Sequence, residues 1–243
     1  MRRPLPEHLR VPWSLTHALV VVAVAVGFQA ALGAVLAQLG KFVKPVAVFL
    51  SMVYSGQAQA SFILYSFDVV VGFCIVSLYL AHINSSWNAV GWRRVNPARA
   101  ILYVVGAVLA VKYATPLVFD LVKLIIPGFN SNQAQPTYFA GSTAIDRWLE
   151  FIDLVLLPPI FEETLFRGFL FPAFAKRWGV GWGAVISSAI FGFYHAQLAP
   201  GISAFVFGLV LCFLYVRLKS VFPGMALHML NNLLVFLVVV GVK

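Results

Sequence analysis

Charged side chains are scarce in this sequence. Of its 243 residues, 10% are Asp, Glu, Lys or Arg and 61% are hydrophobic, whereas a soluble domain carries about 25% charged residues. So few charges cannot solvate the surface of a water-soluble protein. The composition excludes an ordinary soluble domain and indicates that lipid covers most of the surface.

Several other features are missing. Cysteine occurs only at Cys74 and Cys212, without any CxxC pair, and we expect both to be small buried hydrophobic side chains. The chain contains neither the HExxH motif of one zinc protease class nor the GxSxG motif of serine hydrolases. No internal repeat, low-complexity tract or long linker divides it, which predicts a single transmembrane domain over residues 1–243.

The formal net charge of +9 could suggest a nucleic-acid partner. The 17 Lys and Arg residues, however, stand in small clusters between apolar runs rather than in one basic domain. That distribution is typical of membrane orientation and not of phosphate binding along a strand. We therefore expect the lipid bilayer as a partner, and no nucleic acid.

Long apolar runs predict an all-α, polytopic transmembrane helix bundle. The first run is too long for a cleaved signal sequence, so we expect it to be retained. A run at 46–54 is too short to cross and is expected to be re-entrant or interfacial, with an eighth crossing as the alternative. Seven spans are predicted, at residues 14–39, 61–83, 100–119, 148–175, 180–197, 202–216 and 222–240.

The basic clusters predict the orientation of these spans. With seven crossings, four clusters fall on one side, which the positive-inside rule assigns to the cytoplasm. We therefore expect a multi-pass protein of the cell membrane with a cytoplasmic N-terminus. The six tryptophans are expected to be mostly interface anchors. The four clusters are Arg2, Arg3 and Arg10; Arg93, Arg94 and Arg99; Lys176 and Arg177; and Arg217 and Lys219.

Most ionisable side chains inside the predicted spans lie in the last hundred residues, where three motifs stand out: EETLFR at 162–167, FGFYH at 191–195 and HMLNN at 228–232. Such groups are costly in a bilayer and are functional candidates by default. Glu163 and Arg167 stand at i,i+4, the favourable order for an ion pair. Counting along the helices from the turn near Trp178 also predicts that Glu162 and His195 lie at the same depth.

These residue types fit two kinds of hydrolytic site. A carboxylate beside a histidine can activate a water molecule, and a histidine with an asparagine amide can stabilise an oxyanion. Two histidines and a carboxylate can equally hold a catalytic zinc ion. Both alternatives are compatible with hydrolysis of a peptide bond.

Together the three motifs resemble the EExxxR, FxxxH and HxxxN motifs of the CPBP family, which comprises CAAX prenyl endopeptidases and bacteriocin-processing or immunity proteins and is also called the ABI family. The resemblance covers a catalytic core at about 148–240. It implies an intramembrane endopeptidase acting on a membrane-anchored peptide or protein, of which the prenylated CAAX type is the archetype.

The resemblance also implies roles for individual residues. Glu162 and His195 would activate water, and His228 and Asn232 would form the oxyanion hole. Three further residues would support the site or bind substrate: Glu163, Arg167 and Phe191.

The sequence favours a metal-free site without a cofactor, because an asparagine suits an oxyanion hole better than a zinc shell. If zinc is used, its ligands would be Glu162, His195 and His228. Two further alternatives are a non-catalytic immunity or membrane maturation factor of the same family and an ion-coupled transporter built on Asp68, Lys112 and the glutamates.

Overall fold

The computed structural model describes residues 4–131 and 143–241, and within these ranges the regular structure is helical, without strands. A short 3-10 helix (Glu7–Leu9) precedes ten α-helices. The helices are α1 (Leu15–Leu39), α2 (Lys44–Tyr54), α3 (Ala58–His82), α4 (Pro97–Ile125), α5 (Ala144–Phe151), α6 (Leu157–Glu162), α7 (Phe171–Trp178), α8 (Val180–Tyr194), α9 (Leu198–Leu218) and α10 (Phe222–Gly241).

Six predicted spans each coincide with one helix, and the span at 148–175 coincides with the helical run from α5 to α7. The all-α fold class of an integral membrane protein is therefore confirmed. Among the described residues, four helices are long and apolar enough to cross a bilayer, namely α1, α3, α4 and α9. Shorter apolar helical stretches are α2, α8 and residues Phe222–Val238 of α10. The count of seven crossings stays a prediction, and Arg2 and Arg3 of the first basic cluster lie outside the described residues.

The helical run from α5 to α7 is interrupted by two π segments. The first π segment is Ile152–Leu156, between α5 and α6, and the second is Glu163–Leu170, between α6 and α7. In both, the closing amide bonds to the carbonyl five residues earlier instead of four. Each segment ends two residues before a proline, Pro158 or Pro172. A proline lacks the N–H for the carbonyl four residues back, and its ring collides with that carbonyl.

Three local predictions were wrong. The sequence placed the start of the sixth span at residue 202, but α9 already begins at Leu198 and holds Pro200 in its first turn, where a proline is tolerated. The predicted third span, 100–119, also ended too early, because α4 continues through Pro116 to Ile125. Cys212 is buried as expected, whereas Cys74 is exposed on α3.

The chain divides into two compact units, and each is described by itself. Unit 1 comprises Met1–Leu19, Ser85–Gln135 and Glu162–Leu227, and unit 2 comprises Val20–Asn84, Pro136–Phe161 and His228–Lys243. The prediction of one domain over 1–243 stays a prediction.

In unit 1, α7, α8 and α9 pack in sequence order with α4 beside α9. Glycines permit the close approach of these helices. A Cβ atom on Gly183 would lie 2.6 Å from the Ala175 nitrogen, and one on Gly192 would lie 2.6 Å from the Gly201 carbonyl oxygen. Backbone contact of this kind is typical of membrane helix pairs, which lack a hydrophobic force between them.

In unit 2, α3 packs against α2, α5 and the first π segment. The start of α5 follows from local chemistry, because Thr143 and Asp146 form a reciprocal capping box. The Phe161 ring lies against Gly72 of α3, where a Cβ atom would come within 2.3 Å of it. These contacts fix the helix that leads into the EETLFR motif.

Candidate active site

The second π segment carries the predicted ion pair. Arg167 Nη1 lies 3.0 Å from Glu163 Oε1, and both side chains are almost completely buried. All eight residues of the segment are buried. Removing either partner would leave an uncompensated charge in the protein interior, which costs far more than a surface pair contributes.

Aromatic and small residues enclose the Arg167 guanidinium. Its Cζ atom lies 4.1 Å from the ring centroid of Phe191, which is a close cation–π contact. A Cβ atom on Gly208 would lie 3.0 Å from Arg167 Nη2, and one on Gly224 would lie 3.2 Å from Glu163 Oε2. The ion pair is therefore closely packed. A residue larger than glycine at Gly208 or Gly224 would require the neighbouring atoms to shift.

Side chains from other elements bind to the second π segment. The indole Nε1 of Trp13 donates to the Phe169 carbonyl at 3.0 Å, and the Trp13 and Phe169 rings stack at 4.3 Å. Ser187 Oγ donates to the Phe166 carbonyl at 3.3 Å. Trp92 Nε1 donates to Thr164 Oγ1 at 3.1 Å. These donors stabilise a backbone geometry that an isolated helix would not keep.

His195 lies just past the end of α8 and is partly buried. Its Nδ1 atom is 2.9 Å from the carbonyl oxygen of Phe191. A carbonyl oxygen can only accept, so Nδ1 carries the proton and donates. In the neutral ring Nε2 then holds the lone pair, which is the form that a general base requires.

Phe191 links His195 to the ion pair. Its ring packs edge-to-face on the His195 ring at 4.9 Å and contacts the Arg167 guanidinium on another side. Glu162, the last residue of α6, is also buried and belongs to the same unit. The structure therefore brings five predicted residues into unit 1: Glu162, Glu163, Arg167, Phe191 and His195.

The remaining two predicted residues, His228 and Asn232, lie on α10 in unit 2. His228 is buried. The side-chain Nδ2 of Asn232 donates to the backbone carbonyl of Leu154 at 2.9 Å, and its Oδ1 accepts from Asn231 at 3.3 Å. One Nδ2 hydrogen is thus engaged by the backbone, and a primary amide has two.

The Asn232 hydrogen bond has a cause in the sequence. In an α-helix the Leu154 carbonyl would accept from residue 158, and in a π-helix it would accept from residue 159. Both positions are prolines, Pro158 and Pro159, and neither has an N–H. Asn232 therefore supplies the donor that the two prolines remove from the first π segment.

Zinc was the alternative that the sequence left open. Within residues 4–131 and 143–241, no three His, Cys, Asp or Glu side chains are grouped so that they could hold a metal ion. The metal-dependent alternative, with Glu162, His195 and His228 as ligands, stays a prediction.

Sequence reasoning missed several residues that shape the site. Trp13 was expected to be an interface anchor but is 1% exposed and bound to the second π segment. Ser187, Gly208 and Gly224 carry no motif, and nothing in their local sequence predicted their contacts. The hydrogen bond from Asn232 to Leu154 was also missed, although the sequence held a signal for it. Pro158 and Pro159 are consecutive and lack N–H groups, so a backbone carbonyl preceding them needs a donor from another helix.

The comparison with protein families bears on the same segment. Residues 144–234 match a family model described as type II CAAX prenyl endopeptidase Rce1-like. The match includes all three motifs. The resemblance to CAAX endopeptidases is therefore confirmed for this segment of the chain.

Two curated relatives match parts of the chain. One is named "Putative membrane peptidase YdiL", from Bacillus subtilis (strain 168), and is 32% identical over 77 residues, which are 32% of either chain. The other is an uncharacterized 24.3 kDa protein of Escherichia coli, 32% identical over 96 residues, which are 37% of this chain and 44% of the relative. The matches thus span less than half of the relatives' lengths. No solved structure matches the chain.

Proposed function

We propose that this protein is an intramembrane endopeptidase of the CAAX type, which hydrolyses a peptide bond in a membrane-anchored peptide or protein. The observation that carries the proposal is the match of residues 144–234 to the endopeptidase family, together with the His195 ring held as the Nδ1–H tautomer. We propose the cell membrane as its location, with a cytoplasmic N-terminus.

In the proposed mechanism, Glu162 and His195 Nε2 activate a water molecule. The water proton passes to this pair while the water oxygen attacks the carbonyl carbon of the scissile bond. The C–N bond then breaks, and the same proton goes to the leaving amine. The Glu163–Arg167 pair supports this chemistry because Arg167 cancels the charge of Glu163, which leaves Glu162 as the carboxylate of the motif that can accept a proton.

The oxyanion of the tetrahedral intermediate would be stabilised by His228 and by the second Nδ2 hydrogen of Asn232. A donor already fixed by one hydrogen bond loses little entropy when it makes another, and this preorganisation is the basis of oxyanion-hole catalysis. The bond from Asn232 to Leu154 is compatible with that role and orients the amide.

The decisive experiment compares Glu162→Gln with Glu163→Gln. Glu162→Gln should abolish cleavage while the protein stays folded, because an amide cannot act as a base. Glu163→Gln should instead lower the yield of folded protein, since it leaves Arg167 buried without its partner. Cleavage of a defined membrane-anchored peptide, followed by mass spectrometry, and thermal unfolding in detergent separate the two effects.

Asp120→Asn is a matched control, because it removes a carboxylate from the exposed pair with Lys123. It should change neither activity nor stability. Full activity of a folded Glu162→Gln protein would remove the proposed mechanism. Activity that is lost on chelation and restored by zinc would replace it with the metal-dependent alternative.

A further inference from the structure

Three segments of unit 1 that are distant in sequence come together at helix ends. They are the N-terminal segment 4–13, the loop 85–99 between α3 and α4, and the segment 215–222 around the turn from α9 to α10. Ser220 Oγ donates to the Arg93 carbonyl at 2.7 Å, and the Val221 amide donates to the Gly91 carbonyl at 3.0 Å. These bonds join the loop to the turn.

The N-terminal segment joins the same assembly through His8. The His8 ring packs edge-to-face on Tyr215 at 5.7 Å, and His8 interacts electrostatically with Arg93 and Lys219. Arg99 Nη2 also donates to the Arg217 carbonyl at 3.3 Å. The three segments therefore form one surface rather than three separate loops.

This surface is strongly basic. The three segments contain one carboxylate, Glu7, and six cations. We call these six cations the basic surface; they are Arg10, Arg93, Arg94, Arg99, Arg217 and Lys219. All but the partly buried Arg93 are exposed. The six cations outnumber the one carboxylate of these segments, so the surface attracts anions from outside the chain.

Its position indicates which anions those are. The surface lies where α4, α9 and α10 begin or end, which in an integral membrane protein is the level of the lipid headgroups. Trp87 and Trp92 pair there at 5.2 Å, and Trp92 also contacts Phe222 at 5.5 Å. Tryptophans beside basic residues at helix ends are typical of contact with the headgroup region.

Two buried polar atoms next to this surface also lack partners within the described chain. They are His8 Nε2 and Tyr215 Oη. Tyr215 Oη lies against Gly91, where a Cβ atom would be 2.9 Å away. Buried polar atoms normally have a hydrogen-bond partner, so this part of the protein is suited to a polar group that the chain does not supply.

We propose that the basic surface binds the phosphate headgroup of an anionic phospholipid. The guanidinium groups bind the phosphate by charge-assisted hydrogen bonds. An anionic lipid carries a net negative charge that a zwitterionic lipid lacks, so the basic surface binds the anionic lipid more tightly. Bound lipid would fix the N-terminal segment, the loop and the turn against one another.

The test uses the full chain in detergent micelles that contain phosphatidylglycerol and phosphatidylcholine in equal amounts. Native mass spectrometry measures which lipid stays bound. The double variant Arg94→Gln/Lys219→Gln removes two exposed cations of the basic surface for which no side-chain hydrogen bond is seen in the described structure. Each charge changes the affinity for an anionic lipid about five-fold, so we expect retention of phosphatidylglycerol to fall roughly 25-fold.

The matched control is Lys41→Gln/Lys44→Gln, which also removes two exposed cations but lies outside the three segments. It should retain phosphatidylglycerol as the unchanged protein does. Equal retention by both double variants, whether high or low, would overturn the proposal. Displacement of the lipid by excess inorganic phosphate would assign the surface to a free anion instead, whereas retention in phosphate supports the lipid headgroup.

Discussion

The two π segments of the protein have similar backbones but are held differently. In the first, Ile152–Leu156, the prolines at 158 and 159 remove the amide donors, and Asn232 replaces one of them. In the second, Glu163–Leu170, Pro172 follows at the same spacing, but Trp13 and Ser187 bind the carbonyls and an ion pair spans the segment.

The difference shows two ways in which a distorted helix contributes to a site. The first segment needs a side-chain donor and thereby fixes the orientation of Asn232, a predicted catalytic residue. The second segment is buried along its whole length and thereby fixes the predicted acid Glu163, which follows Glu162 directly in the chain. Distortions of the helix hydrogen-bond ladder are frequent at functional sites for this reason.

The largest expected effect concerns the packing around the second segment. A Cβ atom on Gly168 would lie 2.3 Å from the Val90 carbonyl oxygen, and backbone cannot rotate away as a side chain can. Gly168→Ala should therefore cost about 3 kcal/mol or more in the free energy of unfolding. Gly181→Ala is the control, because no atom lies within 4 Å of its Cβ position. Equal stability of the two variants in thermal unfolding would contradict the enclosed geometry.

An effect of comparable size concerns the buried ion pair. Arg167→Met leaves Glu163 charged and buried, and we expect a loss of about 3–5 kcal/mol. Adding Glu163→Gln to Arg167→Met should recover part of that loss, since no charge then remains. The exposed pair provides the comparison, because Lys123→Met should cost less than about 1 kcal/mol. Reversible unfolding in mixed micelles measures these three variants and the single Glu163→Gln variant. Additive effects of the two buried substitutions would count against coupling.

A smaller effect concerns the hydrogen bond from Asn232 to the Leu154 carbonyl in the first π segment. Asn232→Leu leaves the Leu154 carbonyl without its donor and should cost about 1–3 kcal/mol. Pro158→Ala restores a backbone N–H four residues after Leu154. In that background the cost of Asn232→Leu should fall to a few tenths of a kcal/mol.

The same pair of variants separates structure from catalysis at Asn232. If its second Nδ2 hydrogen stabilises the oxyanion, Pro158→Ala will rescue the stability of Asn232→Leu but not its activity. The kcat should stay lower by about 10²–10³-fold. Rescue of both properties would assign Asn232 a purely structural role.

The smallest effect concerns the N-terminal segment, which carries both His8 and Trp13. Burial, and then the nearby Arg93 and Lys219, lower the pKa of His8 from 6.5 to about 4. The unfolded chain therefore binds a proton at His8 at a higher pH than the folded chain does. The contribution of His8 to the free energy of unfolding is fully present above about pH 6.5. It is lost as the pH falls toward 4, by about 1–2 kcal/mol after allowance for solvent screening.

His8→Phe removes this titration and keeps an aromatic ring against Tyr215. Its thermal midpoint should change less between pH 7 and pH 4 than that of the unchanged protein, because His8 takes up its proton in this pH range. Identical pH profiles for the two proteins would show that His8 is not the group responsible.

Local patterns predicted much of the fold and part of the site. The helices follow from apolar runs, and the Glu163–Arg167 pair follows from i,i+4 spacing, because both depend only on neighbours along one helix. The carbonyl of Phe191 that binds His195 lies four residues earlier for the same reason.

Contacts between distant segments were not predictable from one sequence. Trp13 and Phe169 are separated by 156 residues, and the number of sequence positions between two residues says nothing about their separation in space once the chain folds back. The start of the sixth span was misplaced because a proline such as Pro200 is compatible with both a loop and the first turn of a helix.

The close approach of Gly192 and Gly201 has a mechanical consequence for His195. A Cβ atom on either glycine would come within 3 Å of the other's carbonyl oxygen, so α8 and α9 touch through their backbones with no layer of side chains between them. Side chains absorb small displacements by changing rotamer, and a backbone contact has no such compliance. We therefore expect the end of α8 to move together with the start of α9, so that a displacement of α9 would shift the imidazole of His195.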